Sequence, residues 1–343
     1  MMAGKPDSKL KLLYLKELLE KYTDEEHILN ANEIADLLTA EHGIVCERKS
    51  LYKDIEILQS YGMDIVCTRS PKRGYFLASG CFELAEIRLL SDAVQAADFI
   101  TKKKTRALLK KIESFVSVYR AQSLRGQVYI DTRAKSDNED VFYSIDTLDC
   151  AIKSEKKVRL VYSRRRLDER FAARKERKSF VLSPYALIWS NDHYYLVANN
   201  EKYNNLMNLR IDRISKVELL DETVRPMSEV SKYSKRFDAA DYTATTFNMF
   251  SGKPESIELK CANSILEEMF DRFGEQADTR VAEEGSFLLR TEAAVNDGLV
   301  GWLLQFGEKI EVVKPQALRG MVAERAQNIL KVYEKEPYAV SIF

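Results

Sequence analysis

The chain has 343 residues, 45% apolar and 31% charged, with 53 Lys/Arg balanced by 53 Asp/Glu. That composition is globular and long enough for two or three domains, and it excludes a low-complexity or collagen-like polymer. No apolar run reaches membrane-spanning length and MMAGKPDSKLKLL lacks the apolar stretch of an export signal, so the expected location is the cytoplasm, with no membrane partner. Cys46, Cys67, Cys81, Cys150 and Cys261 are scattered without a CxxC pair and read as reduced thiols.

The zero net charge conceals basic stretches. Lys102 to Lys135 holds 10 Lys/Arg against Glu113 and Asp131, and Lys153 to Lys178 holds 12 against Glu155, Asp168, Glu169 and Glu176. The first 80 residues carry 11 Lys/Arg and 13 Asp/Glu, so any affinity of that lobe for polyanions depends on placement rather than on net charge.

Lys9 to Lys21 is predicted as an amphipathic helix, with Leu10, Leu13, Tyr14, Leu18 and Leu19 near one face. Asn30 or Asn32 caps a second helix carrying Ile34, Leu37 and Leu38 and ending at Gly43. A third helix follows, in which Leu51, Ile55 and Leu58 form a buried stripe and Arg48, Lys49, Ser50, Tyr52 and Lys53 crowd the first two turns. Those are the turns a helix-turn-helix protein presents to the major groove. Ile65 to Thr68 and Tyr75 to Leu77 read as a β-hairpin whose turn carries Arg69, Lys72 and Arg73 beside Pro71 and Gly74. The expected partner of this lobe, residues 1–80, is double-stranded DNA.

Phe82 to Tyr119 is predicted mostly helical, with Lys102-Lys103-Lys104 at a break, in a helical linker over 81–140 that ends at the polar run Ser136 to Asp140. After a short helix, Ser144 to Ser154, the pattern turns to strands: Val158 to Tyr162, Lys178 to Leu182, Tyr185 to Ser190, His193 to Asn199, Leu209 to Asp212 and Ser215 to Leu220. Asn191-Asp192 is a hairpin turn, and the set suggests a small β-barrel over 141–225. A linker is expected over 226–254. From 255 to 343 the order is strand, helix, strand, strand, helix, strand, helix; its first six pieces suggest a ferredoxin-like βαββαβ sandwich. Pro315 suits the first turn of the last helix. The fold class is thus α+β and multidomain.

The order of these pieces and several strings resemble the WYL-domain transcriptional regulators of bacteria. The strings are Lys53-Asp54-Ile55, Tyr61-Gly62-Met63-Asp64-Ile65, Gly74-Tyr75, Ser183-Pro184-Tyr185-Ala186-Leu187, Leu209 to Ile214 and Val312 to Arg319. The tripeptide that names the family stands here as Tyr194-Tyr195-Leu196, with Tyr in place of Trp. The resemblance spans nearly the whole chain. It implies a winged helix-turn-helix, an Sm-like β-barrel acting as sensor, a C-terminal extension, and a homodimer whose activity a ligand gates.

The sensor candidates are Arg159, Tyr162, Arg164, Arg165, His193, Tyr195, Arg210 and Arg213, joined by Ser183 and Tyr185 of the matching string. Arginines hold phosphates through forked hydrogen bonds and aromatic rings stack on bases, so a single-stranded nucleic acid or nucleotide is the expected effector. Alternation puts Leu160 and Tyr162 on one face and Arg159 and Val161 on the other. Asp212 is expected to fix Arg210 or Arg213, and Arg164-Arg165-Arg166 to open a cationic loop running to Lys178. His193 has only His27 and His42 as fellow histidines, so no zinc spacing exists and no metal or cofactor is expected.

No Gly-rich phosphate loop, GxSxG or HExxH occurs, which argues against an enzyme. The competing reading is an RNA- or ssDNA-binding accessory protein of a phage-defence system of CRISPR type that does not act at a promoter. Activator and repressor remain equally open.

Overall fold

The computed structural model describes residues 8–70, 72–125, 135–167, 173–190, 192–233, 237–247, 249–250, 252–275 and 277–334. Pro71, Asn191, the initial heptapeptide, the 126–134 part of the basic stretch and the 168–172 part of the expected cationic loop lie outside them. The chain divides between Glu139 and Asp140 into two compact units.

The first unit opens with α1 (Ser8–Tyr22), α2 (Ala31–His42), α3 (Arg48–Ser60), β1 (Asp64–Thr68) and β2 (Gly74–Ser79). Leu15, Leu18, Leu19, Ile34, Leu38, Leu51, Ile55, Leu58 and Ile65 form one core; on α1 Leu15 joins Leu18 and Leu19 there, whereas Leu10 and Leu13, expected on that face, are exposed. Asn30, not Asn32, caps α2: its side chain accepts from the N–H groups of Asn32 and Glu33 while Glu33 reaches back to the Asn30 N–H. Gly43, at φ 66°, ends the helix in the left-handed region. The hairpin β1–β2 gains a third rung that the sequence did not reveal. Tyr75 N–H donates to Leu29 O at 2.8 Å and Leu29 N–H donates to Tyr75 O at 3.1 Å.

Three more helices follow, α4 (Leu84–Ala96), α5 (Lys102–Glu113) and α6 (Val118–Arg125). The break between α4 and α5 falls at 97–101, and Lys102-Lys103-Lys104 form the first turn of α5 directly after it, where Thr101 caps the helix by accepting from Lys104 N–H at 3.2 Å. This segment is not a free spacer within its unit. The Ser117 hydroxyl donates to the buried Asp24 carboxylate, and Tyr119 stacks on His27 at 3.6 Å and 3°.

The second unit begins with α7 (Val141–Lys153), β3 (Lys156–Leu167), β4 (Ala173–Ser190), β5 (His193–Asn199), β6 (Met207–Arg210) and β7 (Ile214–Thr223). The sheet order is β6-β5-β4-β3-β7, every neighbouring pair antiparallel. Among the described residues its end strands are not paired with each other, so the sheet stays open where a closed barrel was expected. β6 has only four residues, and a 3-10 turn at Ile211–Arg213 leads straight into β7. Two strands expected on either side of Pro184 are a single long β4. It exchanges β3 for β5 as partner between Leu182 and Ser183, and its register with β5 then slips between Pro184 and Ala186. Arg164 to Arg166, expected in a loop, extend β3.

The span 226–254, expected as a linker, contains α8 (Ala239–Thr245) and is built into cores on both sides. Met249 packs with Tyr185, Ile188 and Val197, and Phe247 with Phe273 and Trp302 at ring distances of 6.0 and 5.3 Å. The chain ends with β8 (Pro254–Ala262), α9 (Leu266–Phe273), β9 (Asp278–Glu283), β10 (Ser286–Ala294), α10 (Asp297–Leu304), β11 (Ile310–Lys314) and α11 (Gln316–Tyr333). Its four strands lie antiparallel in the order β11-β8-β10-β9, with Ile257, Leu259, Cys261, Phe287, Leu289 and Val312 in the core. Asn296 caps α10 by accepting from Leu299 N–H at 2.9 Å, and Pro315 lies one residue ahead of α11 as its cap. No described helix is long and apolar enough to cross a membrane.

Candidate nucleic-acid and ligand surfaces

In the first unit the N-termini of α2 and α3 and the hairpin enclose a cleft of about 290 Å³ lined by Asn30, Asn32, Arg48, Tyr52, Arg73 and Tyr75, among others. Arg48, Lys49, Tyr52 and Lys53 are exposed. Arg48 Nε donates to Asn32 Oδ1 at 2.6 Å, which aims the guanidinium across the α2 start. Tyr52 meets Tyr75 at 6.3 Å, tying α3 to the wing-like hairpin. Ser50 differs from its neighbours: it is half-buried and accepts from Lys11, whose ammonium also pairs with Asp54 at 2.6 Å. On the hairpin, Arg69 and Arg73 are exposed, while Lys72 pairs with Glu33 at 2.5 Å.

Gly74 is what lets the hairpin close on Leu29. A Cβ at that position would lie 2.5 Å from Leu29 O. Sequence reading took Gly74 as a turn residue; its contact with the chain near Leu29 is set across distance and leaves no local signal.

In the second unit the ten sensor candidates separate into three places. Tyr195 lies opposite Arg210 across β5–β6, next to His193 at a ring distance of 6.3 Å. Arg213 and Tyr162 complete this corner, close enough to act electrostatically on the Tyr195 phenol. The Arg164 guanidinium lies 5.6 Å from the Tyr162 ring centre. Arg210 grips Asp212 with two bonds, Nε to Oδ1 at 3.0 Å and Nη2 to Oδ2 at 2.8 Å. Burial works against its charge, but Asp212 outweighs that and holds the guanidinium pKa above its ordinary value. Burial pushes the Tyr195 phenol up, so this ring presents a neutral hydroxyl at pH 7.

Ser183 and Tyr185 stand elsewhere and hold backbone. Ser183 Oγ accepts from Arg225 N–H at 3.0 Å, and the Tyr185 hydroxyl donates to Arg225 O at 2.8 Å, fixing the exit from β7. Arg159 and Arg165 lie on the strand face opposite Tyr162 by alternation, and Arg159 is paired with Glu218 at 2.8 Å. Tyr194, the neighbour of Tyr195, points the other way, toward Trp189 at 6.4 Å.

A cavity of about 440 Å³ lies apart from that corner, lined by residues that include Lys157, Ser183, Asn200 and Tyr203. Lys157 was not anticipated. It pairs with Glu201 at 2.5 Å and Glu222 at 3.1 Å, which hold its pKa up and leave two carboxylates against one ammonium. The group of Lys157, Glu201 and Glu222 therefore carries no net positive charge.

Residues 144–219 match the WYL domain and residues 253–330 match the WCX domain. The chain is a WYL-domain protein. The WYL match covers all but the start of α7 and most of the five-stranded sheet, and the WCX match takes in the four-stranded sheet and all but the end of α11. Among curated proteins the chain is 22% identical over 298 residues to the uncharacterized HTH-type transcriptional regulator YobV of Bacillus subtilis (strain 168), covering 83% of this chain and 90% of that one. Among solved structures it matches proteasome accessory factor B/C (PafBC) of Arthrobacter aurescens at 18% identity and a TM-score of 0.28. That match covers 97% of this WYL-domain chain and about half, 50%, of the other.

Proposed function

We propose that this WYL-domain protein is a DNA-binding transcriptional regulator in which α1 to β2 form a winged helix-turn-helix and the WYL sheet, Sm-like in topology, senses an anionic ligand. The observation that carries the DNA reading is the exposed set Arg48, Lys49, Tyr52 and Lys53 on the first two turns of α3, flanked by Arg69 and Arg73 on the hairpin. Those turns supply base contacts in helix-turn-helix proteins, and the hairpin cations meet phosphate. The relative's printed name, an HTH-type transcriptional regulator, supports the same reading. The strand order β11-β8-β10-β9 supports a ferredoxin-like extension.

The ligand reading rests on the corner of Tyr162, Tyr195, Arg210 and Arg213, where guanidinium groups adjoin aromatic rings. A nucleotide or single-stranded nucleic acid suits that mixture. The regulator works in the cytoplasm as a homodimer on paired half-sites, and ligand shifts the balance between two arrangements of the DNA-reading lobes in proportion to its differential affinity for them.

Selection of duplex sequences by the purified protein tests the reading. A preferred duplex, footprinted and weakened by salt, supports it; binding to single strands with no duplex preference favours the accessory role instead. Sedimentation that finds only monomer, with and without DNA, removes the homodimer.

A further inference from the structure

The DNA-reading lobe is short of positive charge. Residues 1–80 hold 11 Lys/Arg against 13 Asp/Glu, so the cations of α3 and the hairpin stand on a lobe of net negative charge. The helices that follow reverse the balance. In twelve residues α5 holds Lys102, Lys103, Lys104, Arg106, Lys110 and Lys111 against Glu113.

Lys102, Lys103, Arg106, Lys110 and Lys111 are exposed, and none of these five has an ion pair among the described residues. Lys103, Arg106 and Lys110, three and four residues apart, share one face of the helix. The opposite side carries Thr105, which is buried, and Leu108 and Ile112, which are half-buried. Along the axis the three cations span about 10.5 Å, the rise of about three phosphates of one DNA strand.

A helix that serves only as a spacer is weakened by this arrangement. Lys102 and Lys103 lie in the first turn, where the helix dipole favours acids, and that turn has none. Lys102, Arg106 and Lys110 also stack like charges four residues apart. A polyanion laid along the exposed face offsets both effects.

α5 belongs to the same compact unit as α3 and the hairpin. Phe115, two residues past its end, meets Phe82 edge-on at 5.3 Å, and Phe82 lies three residues past the end of β2. Ser117 and Tyr119 then hold Asp24 and His27, in the connection that leads to the Asn30 cap of α2. The C-terminal end of α5 therefore sits beside the base of the hairpin, opposite the turn that carries Arg69 and Arg73. β2 sets roughly 17 Å between those two ends, about half a turn of B-DNA.

We propose that α5 is a second DNA-contacting surface, which takes the phosphate backbone of the duplex flanking the segment that α3 reads. This rests on the duplex reading of the first unit given above.

The test is fluorescence anisotropy of the full-length protein with labelled duplexes of about 10, 20 and 30 base pairs that share one selected sequence at the centre, at several salt concentrations. Wild type is compared with Lys103→Gln/Arg106→Gln/Lys110→Gln, with the charge-keeping Lys103→Arg/Arg106→Lys/Lys110→Arg, and with Arg48→Ala/Arg73→Ala. The Gln variant should bind the shortest duplex as wild type does and lose about tenfold or more on the longest. Its log–log salt slope on the longest should shrink by about 2.7, the share of three phosphate contacts on B-DNA. The charge-keeping variant should restore affinity and slope, which guards against misfolding as the cause. Arg48→Ala/Arg73→Ala should weaken every length. If that variant binds every length normally while the Gln variant still loses the longest, the reading-lobe assignment fails and the α5 surface stands. Wild-type affinity and slope in the Gln variant at every length overturn the proposal, and loss of promoter activity despite such binding would assign the cations to an acidic protein surface instead. An equal loss on all three lengths overturns it too, since the contact would then lie within the segment that α3 reads.

Discussion

Arg210 and Asp212, two residues apart, face each other as a forked pair, with both guanidinium–carboxylate bonds at or below 3.0 Å. The side chains are 24% and 13% exposed, so water screens the pair only partly. Two charge-assisted bonds hold the guanidinium in one orientation at the mouth of the Tyr195 corner. Asp212→Ala should cost about 1–3 kcal/mol in stability and also weaken single-strand binding, because it leaves Arg210 without its orienting partner. Urea denaturation and anisotropy read the two effects separately; an unchanged midpoint would show that the pair contributes orientation and no stability.

Gly74 should tolerate no side chain. In Gly74→Ala the new Cβ would meet Leu29 O at 2.5 Å and Ile28 Cγ2 at 2.8 Å. The hairpin must move away from Leu29 or the backbone must yield, at a cost of about 1–3 kcal/mol. Duplex affinity should fall with it, since Arg69, Lys72 and Arg73 ride on that hairpin. Denaturation midpoints and duplex titration of the variant check both parts.

Asn30 begins α2 with a capping box shared with Glu33. Asn30→Ala removes the acceptor for two N–H groups and should cost about 1 kcal/mol. Asn32→Ala should cost less in stability, because Asn32 does not cap the helix. It should instead free Arg48, whose Nε it holds at 2.6 Å. Comparing the two variants by denaturation and by duplex binding separates the cap from the orienting contact.

Asp24 sets an acid limit on the first unit. Burial pushes its carboxyl up, but Ser117, His27 and the Glu26 N–H outweigh burial and hold it below the ordinary carboxylate value. A carboxyl depressed in the folded state contributes stability that is fully present above its unfolded pKa, near 4. That contribution is lost as pH falls through the lower folded value. Asp24→Asn should therefore flatten the pH dependence of unfolding below about pH 4 while destabilising the protein at pH 7. Urea titrations of both proteins across that range decide it; parallel pH profiles would count against the role of Asp24.

Arg48 and Arg73 should separate two kinds of contact. Arg48→Ala should reduce both affinity and discrimination between duplex sequences, by about 1–3 kcal/mol if it reads a base. Replacing a hairpin cation, as in Arg73→Ala, should weaken all duplexes alike and lower the salt slope by about 0.9. Equal losses on every sequence for both variants would leave α3 as a phosphate contact only.

Much of the fold was legible because the signals are local. Leu51, Ile55 and Leu58 repeat at helical spacing, and all three are buried. The polar run ending at Asp140 coincides with the division between the two units. The span 226–254 misled for the opposite reason: the burial of its Val230, Phe247 and Met249 depends on partners far away in the chain.

The sequence alone determined the element types, the basic α3 turns, the match to WYL-domain regulators and the presence of guanidinium and aromatic groups in the middle of the chain. Only the tertiary structure decided which of those groups meet. It joined Tyr162, Tyr195, Arg210 and Arg213, turned Arg159 and Arg165 to the other face, and set Ser183 and Tyr185 to holding Arg225. It also replaced an expected loop with a basic ribbon. Periodicity fixes a residue's face relative to its own element, whereas register between strands far apart in sequence comes from packing and hydrogen bonding of the whole sheet.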